Sequence, residues 1–280
     1  MRLRSLLFVP GDRPERMEKA LGLGADALIL DLEDSVAAAA KPAAREAVAG
    51  FLTSAKRTVP LFVRVNPLDG GLADADLEAV VKAAPDGIML PKSEGGISVR
   101  DLDHRLTKLG NTKAVILALA TETASSIFQL GTYGGLTKRL VALSWGAEDL
   151  PAAVGAATAR EEDGSFTPPY ELARSLTLFG AHAAGVPAIE TVYPNFKNVE
   201  GMTAYAARGR RDGFSGMLAI HPSQIPIINQ AFSPSEAELE HARKVVEAFK
   251  ANPGAGVLQL DGKMIDYPHL KQAKRILALD

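Results

Sequence analysis

Three charged residues stand at or next to strongly apolar segments of this chain. Arg64 lies in the apolar run 61–65, Glu122 follows eight apolar or small residues, and Asp149 ends the segment 145–149. A buried carboxylate without a partner is strongly disfavoured unless it meets a cation. Two carboxylates with positions left for water suit Mg²⁺ or Mn²⁺ better than Zn²⁺, and a guanidinium grips a substrate carboxylate with two prongs. These residues predict a divalent-metal site for an anionic substrate.

More negative charge follows the second apolar segment of the chain. Asp31, Glu33 and Asp34 stand within four residues of one another. They could be metal ligands, but we favour the interpretation that they hold metal-bound water from behind. Taken singly, any charged residue at a strand end is more often a cap or a surface ion pair than part of a catalytic site.

Short apolar runs alternate with amphipathic stretches along most of the chain, and we interpret the runs as eight strands. The predicted strands are Ser5–Val9, Ala27–Asp31, Leu61–Val65, Gly87–Leu90, Ala114–Leu119, Leu140–Ser144, Pro187–Glu190 and Gly216–Ile220. Continuous apolar runs are typical of parallel strands that are covered on both faces. The repeated strand–helix unit predicts an α/β fold, a (β/α)8 TIM barrel, in which all strand carboxyl ends meet at one rim.

An open, doubly wound sheet is the alternative fold. The segment 10–14 after the first predicted strand reads Pro-Gly-Asp-Arg-Pro and lacks the G-x-G-x-x-G spacing of a dinucleotide site. The barrel is therefore the preferred prediction.

The last fifty residues or so depart from the repeat, so we predict a barrel domain over 1–232 and an extension over 233–280. Ser233 or Ser235 can cap a helix that runs to about Lys250, and a final helix is predicted through Leu279. Together they predict a C-terminal helical arm. We expect it to pack over a barrel mouth, that of a neighbouring subunit.

Composition excludes several classes of protein. The chain has 280 residues, 47% hydrophobic and 23% charged, with a formal net charge of −2 and no cysteine. Such a charge gives no reason to expect nucleic acid or an anionic membrane as a partner, and no segment is long enough to predict a membrane span. The absence of cysteine rules out disulfides, thiolate metal sites and a cysteine nucleophile, and it fits a cytoplasmic location.

Several short motifs, in the same order along nearly the whole chain, resemble the citrate lyase β-subunit family within the HpcH/HpaI aldolase superfamily. That family includes citryl-CoA, malyl-CoA and citramalyl-CoA lyases. The motifs are residues 4–11 (RSLLFVPG), 31–36 (DLEDSV), 64–66 (RVN), 122–123 (ET), 146–150 (GAEDL), 219–222 (AIHP) and 264–268 (MIDYP), with Lys41 and Arg45 between them.

The resemblance implies a role for each residue of the predicted site. It implies that Glu122 and Asp149 bind Mg²⁺ and that Arg64 contacts the carboxylate of an α-keto acid. It also implies that Asp266 completes the site from the C-terminal arm of an adjacent subunit, which requires a homo-oligomer, a trimer or a hexamer. Spacing alone favours a plainer role for Asp266, as a turn residue.

The resemblance further implies a CoA thioester lying across the rim. Phe8, Arg13 and Lys19 would contact it, and the backbone of Ile220 and His221 would lie close to the acyl chain. A solvated helix face is the alternative for each of the two cations.

The implied activity is Mg²⁺-dependent cleavage or formation of a 3-hydroxyacyl-CoA such as citramalyl-CoA, malyl-CoA or citryl-CoA. The products would be acetyl-CoA and pyruvate, glyoxylate or oxaloacetate, with Asp266 transferring the proton at carbon. Three alternatives stay open: a β-subunit of a citrate lyase complex, a malate-synthase-like thioesterase on the same scaffold, and a non-catalytic binding protein.

Lys92 carries a different enzymatic hypothesis, that of a metal-free aldolase. A strand-end lysine can form a Schiff base if burial lowers its pKa. The nearby Glu94 and the other carboxylates favour a protonated lysine instead, in an ion pair or a substrate contact.

Overall fold

Eight parallel strands close into a barrel in the computed structural model, which describes residues 1–278. They are β1 Ser5–Pro10, β2 Ala27–Asp31, β3 Leu61–Arg64, β4 Gly87–Leu90, β5 Val115–Leu119, β6 Leu140–Ser144, β7 Ala188–Glu190 and β8 Gly216–Ala219. Each strand pairs with the next along the chain, and β8 pairs with β1, where Leu218 lies beside Leu6. The predicted TIM barrel is confirmed, and each strand end falls within one residue of its predicted position.

Helices connect the strands around the outside of this barrel. They are α1 Pro14–Ala20, α2 Lys41–Ser54, α3 Ala73–Val80, α4 Gly96–Lys108, α5 Ala124–Ile127, α6 Leu150–Val154, α7 Pro168–Ala184, α8 Val199–Asp212 and α9 Gln224–Ala231. The five-residue α6 follows Asp149 directly, and α8 ends before Gly213, which takes a φ of 114°.

Apolar side chains fill the barrel. Its interior holds Leu6, Ile29, Phe62, Met89 and Leu117 among others, each essentially inaccessible to solvent. Because helices cover the outer face as well, strands such as β2 are buried along their whole length. A rigid, filled barrel of this kind fixes the positions of residues at its carboxyl rim.

The chain divides into two compact units, residues 1–229 and residues 230–280. The second unit contains α10 Glu236–Ala251, the antiparallel pair β9 Val257–Leu260 and β10 Lys263–Asp266, and α11 Tyr267–Leu277. Ser235 caps α10 in a capping box with Glu238, which settles the choice between Ser233 and Ser235. Leu279, the predicted end of the last helix, lies outside the described residues. Packing of this unit on a neighbouring subunit stays a prediction.

Candidate active site

A cavity of about 410 Å³ lies at the carboxyl ends of the barrel strands. Its lining includes Phe8, Pro10, Asp31, Asp34, Ser35, Arg64, Leu119, Glu122, Trp145, Gly146, Ala147, Glu148, Asp149, Thr191, Val192, Leu218 and Ile220. A larger cavity of about 550 Å³ lies at the amino ends of β4 and β5, but Asp86 is the only carboxylate in its lining among the described residues. The strand-end cavity is therefore the candidate site, as expected for a barrel.

Glu122 is one of two carboxylates of this cavity that are almost inaccessible to solvent, with 3% of its surface exposed against 1% for Asp31. Its Oε2 accepts a hydrogen bond of 2.6 Å from the Lys92 backbone N–H. A Cβ at Gly146 would stand 2.4 Å from the Glu122 Cγ, so only glycine leaves room for this carboxylate. Burial, together with the charge of Glu33, raises the pKa of Glu122 to about 8.

Asp149 reaches the same cavity from the loop that joins β6 to α6. A third of its side chain is exposed, 33%, and its Oδ1 lies 3.6 Å from the Lys92 Nζ. Lys92 thus contacts Glu122 through its backbone and Asp149 through its side chain. The two carboxylates that the sequence singled out are brought to one cavity by neighbouring strands β5 and β6.

Lys92 adopts a left-handed backbone conformation, with φ of 47°. Its Nζ donates a 2.7 Å hydrogen bond to Glu33 Oε1. Burial on its own lowers the pKa of Lys92, but Glu33, Glu122 and Asp149 outweigh burial and raise this pKa above its ordinary value. A lysine held protonated in this way is a poor Schiff-base nucleophile, so the geometry opposes the metal-free aldolase hypothesis.

Arg64 is held by two carboxylates of the β2 end. Its Nε and Nη2 each donate to Asp31 at 2.7 Å, and its Nη1 lies 2.9 Å from Glu33 and 3.7 Å from the exposed Asp34. The guanidinium also stacks over the Phe8 ring, 4.7 Å from its centroid. The sequence predicted a two-pronged contact of Arg64 with a substrate carboxylate, and here two of its nitrogens donate to Asp31 instead. Asp31 and Glu33 bind the two cations, and their predicted role behind metal-bound water stays a prediction.

We refer to Asp31, Glu33, Arg64, Lys92, Glu122 and Asp149 as the rim cluster. A continuous series of contacts joins these six residues across the ends of β2 to β6. The cluster contains four carboxylates and only two cations. Glu33 Oε2 is buried and lacks a partner with hydrogen-bond geometry, although Arg64 lies close to it.

The other predicted site residues are divided between the cavity and the surface. Phe8 and Ile220 line the cavity, but Arg13, Lys19 and His221 do not. Arg13 and Lys19 are exposed at the start and end of α1.

The amides after β8 already have an acceptor. The backbone N–H groups of Ile220 and His221 both donate to Gln224 Oε1, at 2.8 and 3.2 Å, and the His221 ring stacks on Phe196 with centroids 4.5 Å apart. The predicted CoA contacts at this edge stay predictions.

Asp266 belongs to the second unit, where it ends β10 and caps α11. Its Oδ1 lies 2.5 Å from the His269 Nδ1, and this contact holds the pKa of Asp266 below its usual range. In this structure Asp266 thus has a plain structural role, not in a turn but as the residue that ends a strand and caps a helix. The proton-transfer role that the resemblance implies stays a prediction.

Sequence reasoning missed Trp145, Thr191 and Val192 in the cavity wall. Thr191 and Val192 directly follow β7, so the rule that strand ends form the site could have found them. Trp145 gave no comparable signal, because its role depends on hydrogen bonds outside the barrel that sequence spacing does not show.

The donor set of the cavity fits a hard divalent cation. Among residues 1–278 no three His, Cys, Asp or Glu side chains are grouped as a metal site. Two carboxylates, with the remaining positions filled by water or substrate oxygens, are nevertheless the usual protein contribution to bound Mg²⁺. The raised pKa of Glu122 and the excess of carboxylates in the rim cluster show a local deficit of positive charge that such an ion would supply.

Fold and site together define a (β/α)8-barrel protein whose strand-end cavity is rich in carboxylates. Residues 4–222 match the family model described as HpcH/HpaI aldolase/citrate lyase. The chain belongs to this family of aldolases and lyases, and the resemblance stated from its motifs is confirmed.

Relatives with known names match almost the whole chain. It is 36% identical to the citrate lyase subunit beta of Haemophilus influenzae, with 98% of this chain and 95% of that protein covered. It is 35% identical to a (3S)-malyl-CoA thioesterase of Cereibacter sphaeroides, with 98% and 93% covered. The crystal structure of CitE from Mycobacterium tuberculosis in complex with magnesium, acetoacetate and coenzyme A matches with a TM-score of 0.82 and 34% identity. That match covers 98% of this chain and 97% of the other.

Within residues 1–278, none of the helices combines the length and the apolar character that crossing a membrane would require.

Proposed function

We propose that this protein is a Mg²⁺-dependent carbon–carbon lyase that cleaves, or forms, a 3-hydroxyacyl-CoA. The products of cleavage are acetyl-CoA and an α-keto acid: pyruvate from citramalyl-CoA, glyoxylate from malyl-CoA or oxaloacetate from citryl-CoA. The observation that carries the proposal is the rim cluster, which sets four carboxylates against two cations at the strand ends and has four of its six members in the wall of one cavity. The relative solved with magnesium, acetoacetate and coenzyme A supports this choice of ion and substrate.

In this proposal Glu122 and Asp149 hold the magnesium ion, and Mn²⁺ can replace it. The bound ion acts as a Lewis acid for the oxygen on which negative charge develops. Glu33 and Lys92 keep the two ligands in place, because Lys92 contacts both of them and is itself fixed by Glu33.

Arg64 adds positive potential for the carboxylate of the keto acid. Its Nε and Nη2 are fixed by Asp31, and its Nη1 lies 2.9 Å from Glu33, so the guanidinium is held in place at the cavity before a substrate arrives. A guanidinium fixed beforehand loses little freedom when the substrate binds, which favours catalysis.

Cleavage breaks the bond between the hydroxyl-bearing carbon and the carbon next to the thioester carbonyl. The hydroxyl group loses its proton and becomes the keto group, while the bonding electron pair passes to the enolate of acetyl-CoA. That enolate then accepts a proton on carbon. We propose that Asp266 of a neighbouring subunit exchanges this proton with the carbon.

Replacing Asp266 tests this proton transfer. Asp266→Ala should lower turnover by about 10²- to 10⁴-fold, which is the usual contribution of a positioned acid or base. Mg²⁺ affinity should stay unchanged, since Asp266 is not among the proposed ligands. Asp261→Asn, a substitution in the turn of the same unit, is the matched control and should keep normal turnover. Near-normal turnover by Asp266→Ala would remove the residue from the mechanism.

The activity itself is tested by incubating the purified protein with malyl-CoA, citramalyl-CoA and citryl-CoA, with Mg²⁺ and with EDTA. We expect Mg²⁺-dependent release of acetyl-CoA from one of them, with the matching keto acid identified by mass spectrometry. Inactivation by EDTA without trapping by borohydride would distinguish the metal route from a Lys92 Schiff base. If none of the three thioesters is cleaved, the proposal fails.

A thioesterase outcome is the second candidate, favoured by the 35% identity to a (3S)-malyl-CoA thioesterase. In that reaction a water molecule attacks the thioester carbonyl, and the products are the free hydroxy acid and CoA. The same assay separates the two outcomes, because hydrolysis would release free CoA thiol together with malate, whereas cleavage would release glyoxylate and acetyl-CoA without free thiol.

The proposal includes a homo-oligomer, a trimer or a hexamer, that works on free CoA thioesters in the cytoplasm. Its support is the arm over residues 230–280, which forms a compact unit of its own. A β-subunit that acts within a citrate lyase complex is the alternative, supported by the similarity to citrate lyase subunit beta. Size-exclusion chromatography with light scattering and co-purification from the native source distinguish them.

A further inference from the structure

A second group of buried polar side chains lies between the barrel strands and the helices α7 and α8, next to the segment that carries Asp149. Glu190, the last residue of β7, is fully buried and accepts four hydrogen bonds. We refer to Trp145, Arg174, Glu190 and Tyr205 as the Glu190 cluster. Arg174 comes from α7 and Tyr205 from α8, so the cluster joins both helices to the ends of β6 and β7.

Each oxygen of Glu190 has defined partners. Oε2 accepts from Arg174 Nε at 2.7 Å, and Oε1 accepts from the Tyr205 hydroxyl at 2.8 Å and from the Thr191 backbone N–H at 2.9 Å. The fourth donor is the indole Nε1 of Trp145, at 2.5 Å from Oε1. A carboxylate acceptor makes these bonds stronger than a neutral acceptor would.

Trp145 is the member of the Glu190 cluster that touches the active site. Its side chain is fully buried, and it directly precedes the segment 146–149. That segment packs Gly146 against Glu122 and ends at Asp149, so it touches both proposed metal ligands. The position of the indole therefore sets the position of the segment between the two carboxylates.

A neighbouring loop holds the same segment from its outer side. The Phe166 ring meets the Trp145 indole edge-on, with centroids 4.9 Å apart. The Arg160 guanidinium lies over the Phe166 ring, 3.9 Å from its centroid. The Nη2 of Arg160 is 3.7 Å from Glu148. The segment 146–149 is thus held next to its start by the contacts of Trp145 and near its end by the contact of Glu148 with Arg160.

We propose that Glu190 is a positioning residue, which fixes segment 146–149 through the Trp145 indole and so sets the spacing of Glu122 and Asp149. The importance of that spacing rests on the proposed function. The role of Glu190 toward the segment does not, because it follows from the contacts alone. No substrate contact is assigned to Glu190, Arg174 or Tyr205.

The test compares Trp145→Phe with Tyr205→Phe. The first substitution removes the indole donor and keeps an aromatic ring beside Phe166, whereas the second removes a different donor to the same Glu190 oxygen. Hydrogen–deuterium exchange then reports on each segment separately. In Trp145→Phe the amides of 146–149 should exchange about tenfold faster than in the wild type, because a local tie is lost. In Tyr205→Phe they should exchange at the wild-type rate, and β2 should be unchanged in both variants.

Binding of Mn²⁺, followed by electron paramagnetic resonance of the free ion, is the second measurement. Trp145→Phe should bind Mn²⁺ about tenfold more weakly than the wild type, as is usual when a support behind metal ligands is removed. Tyr205→Phe should stay within about twofold of it. Unchanged exchange of 146–149 in Trp145→Phe, or an equal rise in Tyr205→Phe, would overturn the positioning role.

The two proposals fail separately. If the wild type binds no Mn²⁺, the proposed function fails, while hydrogen exchange still decides the role of Glu190. If Trp145→Phe does not fold, Glu190→Gln replaces it, with the same exchange expected in 146–149. Trp145 is also the only tryptophan of the chain, so its fluorescence reports on this segment alone. Addition of Mg²⁺ to the wild type should change that emission saturably, and an emission insensitive to bound Mg²⁺ would count against the proposal.

Discussion

The rim cluster and the Glu190 cluster lie at the same end of one barrel, yet they handle buried charge in opposite ways. In the Glu190 cluster one carboxylate meets one guanidinium, and both carboxylate oxygens are hydrogen-bonded. In the rim cluster four carboxylates share two cations, and the deeply buried Glu122 has its pKa raised to about 8.

This difference separates a scaffold from a site. A carboxylate that is paired with a guanidinium and hydrogen-bonded at both oxygens stabilises one arrangement of the chain and needs no further cation. An excess of buried carboxylates costs stability unless something else supplies positive charge. The rim cluster is therefore the region where a bound cation should change the stability of the protein most.

Removing a carboxylate from the rim cluster should have the largest effect, and it should act in opposite directions on activity and stability. Glu122→Gln should lower lyase turnover by about 10³-fold, or about 4 kcal/mol, because a metal ligand is lost. Without metal, the same variant should unfold at pH 7 with a free energy about 1 kcal/mol higher, since Glu122 is ionised in the unfolded chain and burying it costs free energy. Turnover assays and urea unfolding in EDTA measure the two effects.

The exposed Glu46→Gln on α2 is the control for Glu122→Gln and should change neither quantity. A clear loss of stability in Glu122→Gln without metal would contradict the charge imbalance that we infer for the rim cluster.

Removing the carboxylate of the Glu190 cluster should lower the stability of the protein, in contrast to the removal of the Glu122 carboxylate. Glu190→Gln should lower the free energy of unfolding by about 3 kcal/mol, because Arg174 then loses its fully buried counter-charge and keeps only Asp212, 2.7 Å from its Nη1. Thermal unfolding followed by circular dichroism measures this loss. The exposed Glu240→Gln on α10 should leave the melting temperature nearly unchanged. If Glu190→Gln were as stable as the wild type, the two clusters would not differ in the way described.

The Asp31–Arg64 pair should make part of the stability depend on pH. Burial on its own would raise the pKa of Asp31, but Arg64 holds this pKa below its usual range. The stabilisation is therefore present above the unfolded-state pKa of about 3.9 and is lost as pH falls through the lower folded-state pKa.

Asp31→Asn should accordingly lower the free energy of unfolding by about 3 kcal/mol at pH 7, with a smaller difference below about pH 4. Urea unfolding followed by Trp145 fluorescence across this pH range measures it. Asp34→Asn, at the exposed carboxylate 3.7 Å from Arg64, should cost less than about 1 kcal/mol. A difference independent of pH would mean that Asp31 acts through packing rather than through charge.

Supplying the missing cation should have the smallest effect of this series. Mg²⁺ at about one hundred times its dissociation constant should stabilise the protein by about 2.7 kcal/mol. Glu122→Gln and Asp149→Asn should lose most of this stabilisation, and Glu190→Gln should keep a measurable part of it. Differential scanning fluorimetry with and without Mg²⁺ measures this stabilisation in each variant. An equal rise in melting temperature with Mg²⁺ in all variants would point to an ion bound elsewhere.

Much of this organisation is predictable from the sequence. Continuous apolar runs identified all eight strands of the barrel, and the position of Glu122 and Asp149 at strand ends predicted that they share a cavity. The partners of Arg64 were not predictable. They depend on which way neighbouring side chains point on a curved rim, and sequence spacing does not encode that direction.

Glu190 was hidden for a related reason. As the last residue of a predicted strand it looks like one more polar rim residue, whereas Ile189 beside it belongs to the barrel core. Because successive strand residues point to opposite faces, Glu190 turns toward α7 and α8. Its partners Arg174 and Tyr205 come from two helices distant in sequence, so only the folded chain reveals the cluster.

The left-handed backbone of Lys92 has a consequence for protein engineering. At φ of 47° a non-glycine residue is strained, typically by about 1–3 kcal/mol, and stabilising designs commonly place glycine at such positions. Here a glycine would relieve the strain and keep the amide that binds Glu122, but it would remove the amine that binds Glu33. A glycine chosen here to relieve the backbone would therefore leave the buried Glu33 without its ammonium partner and dismantle the site.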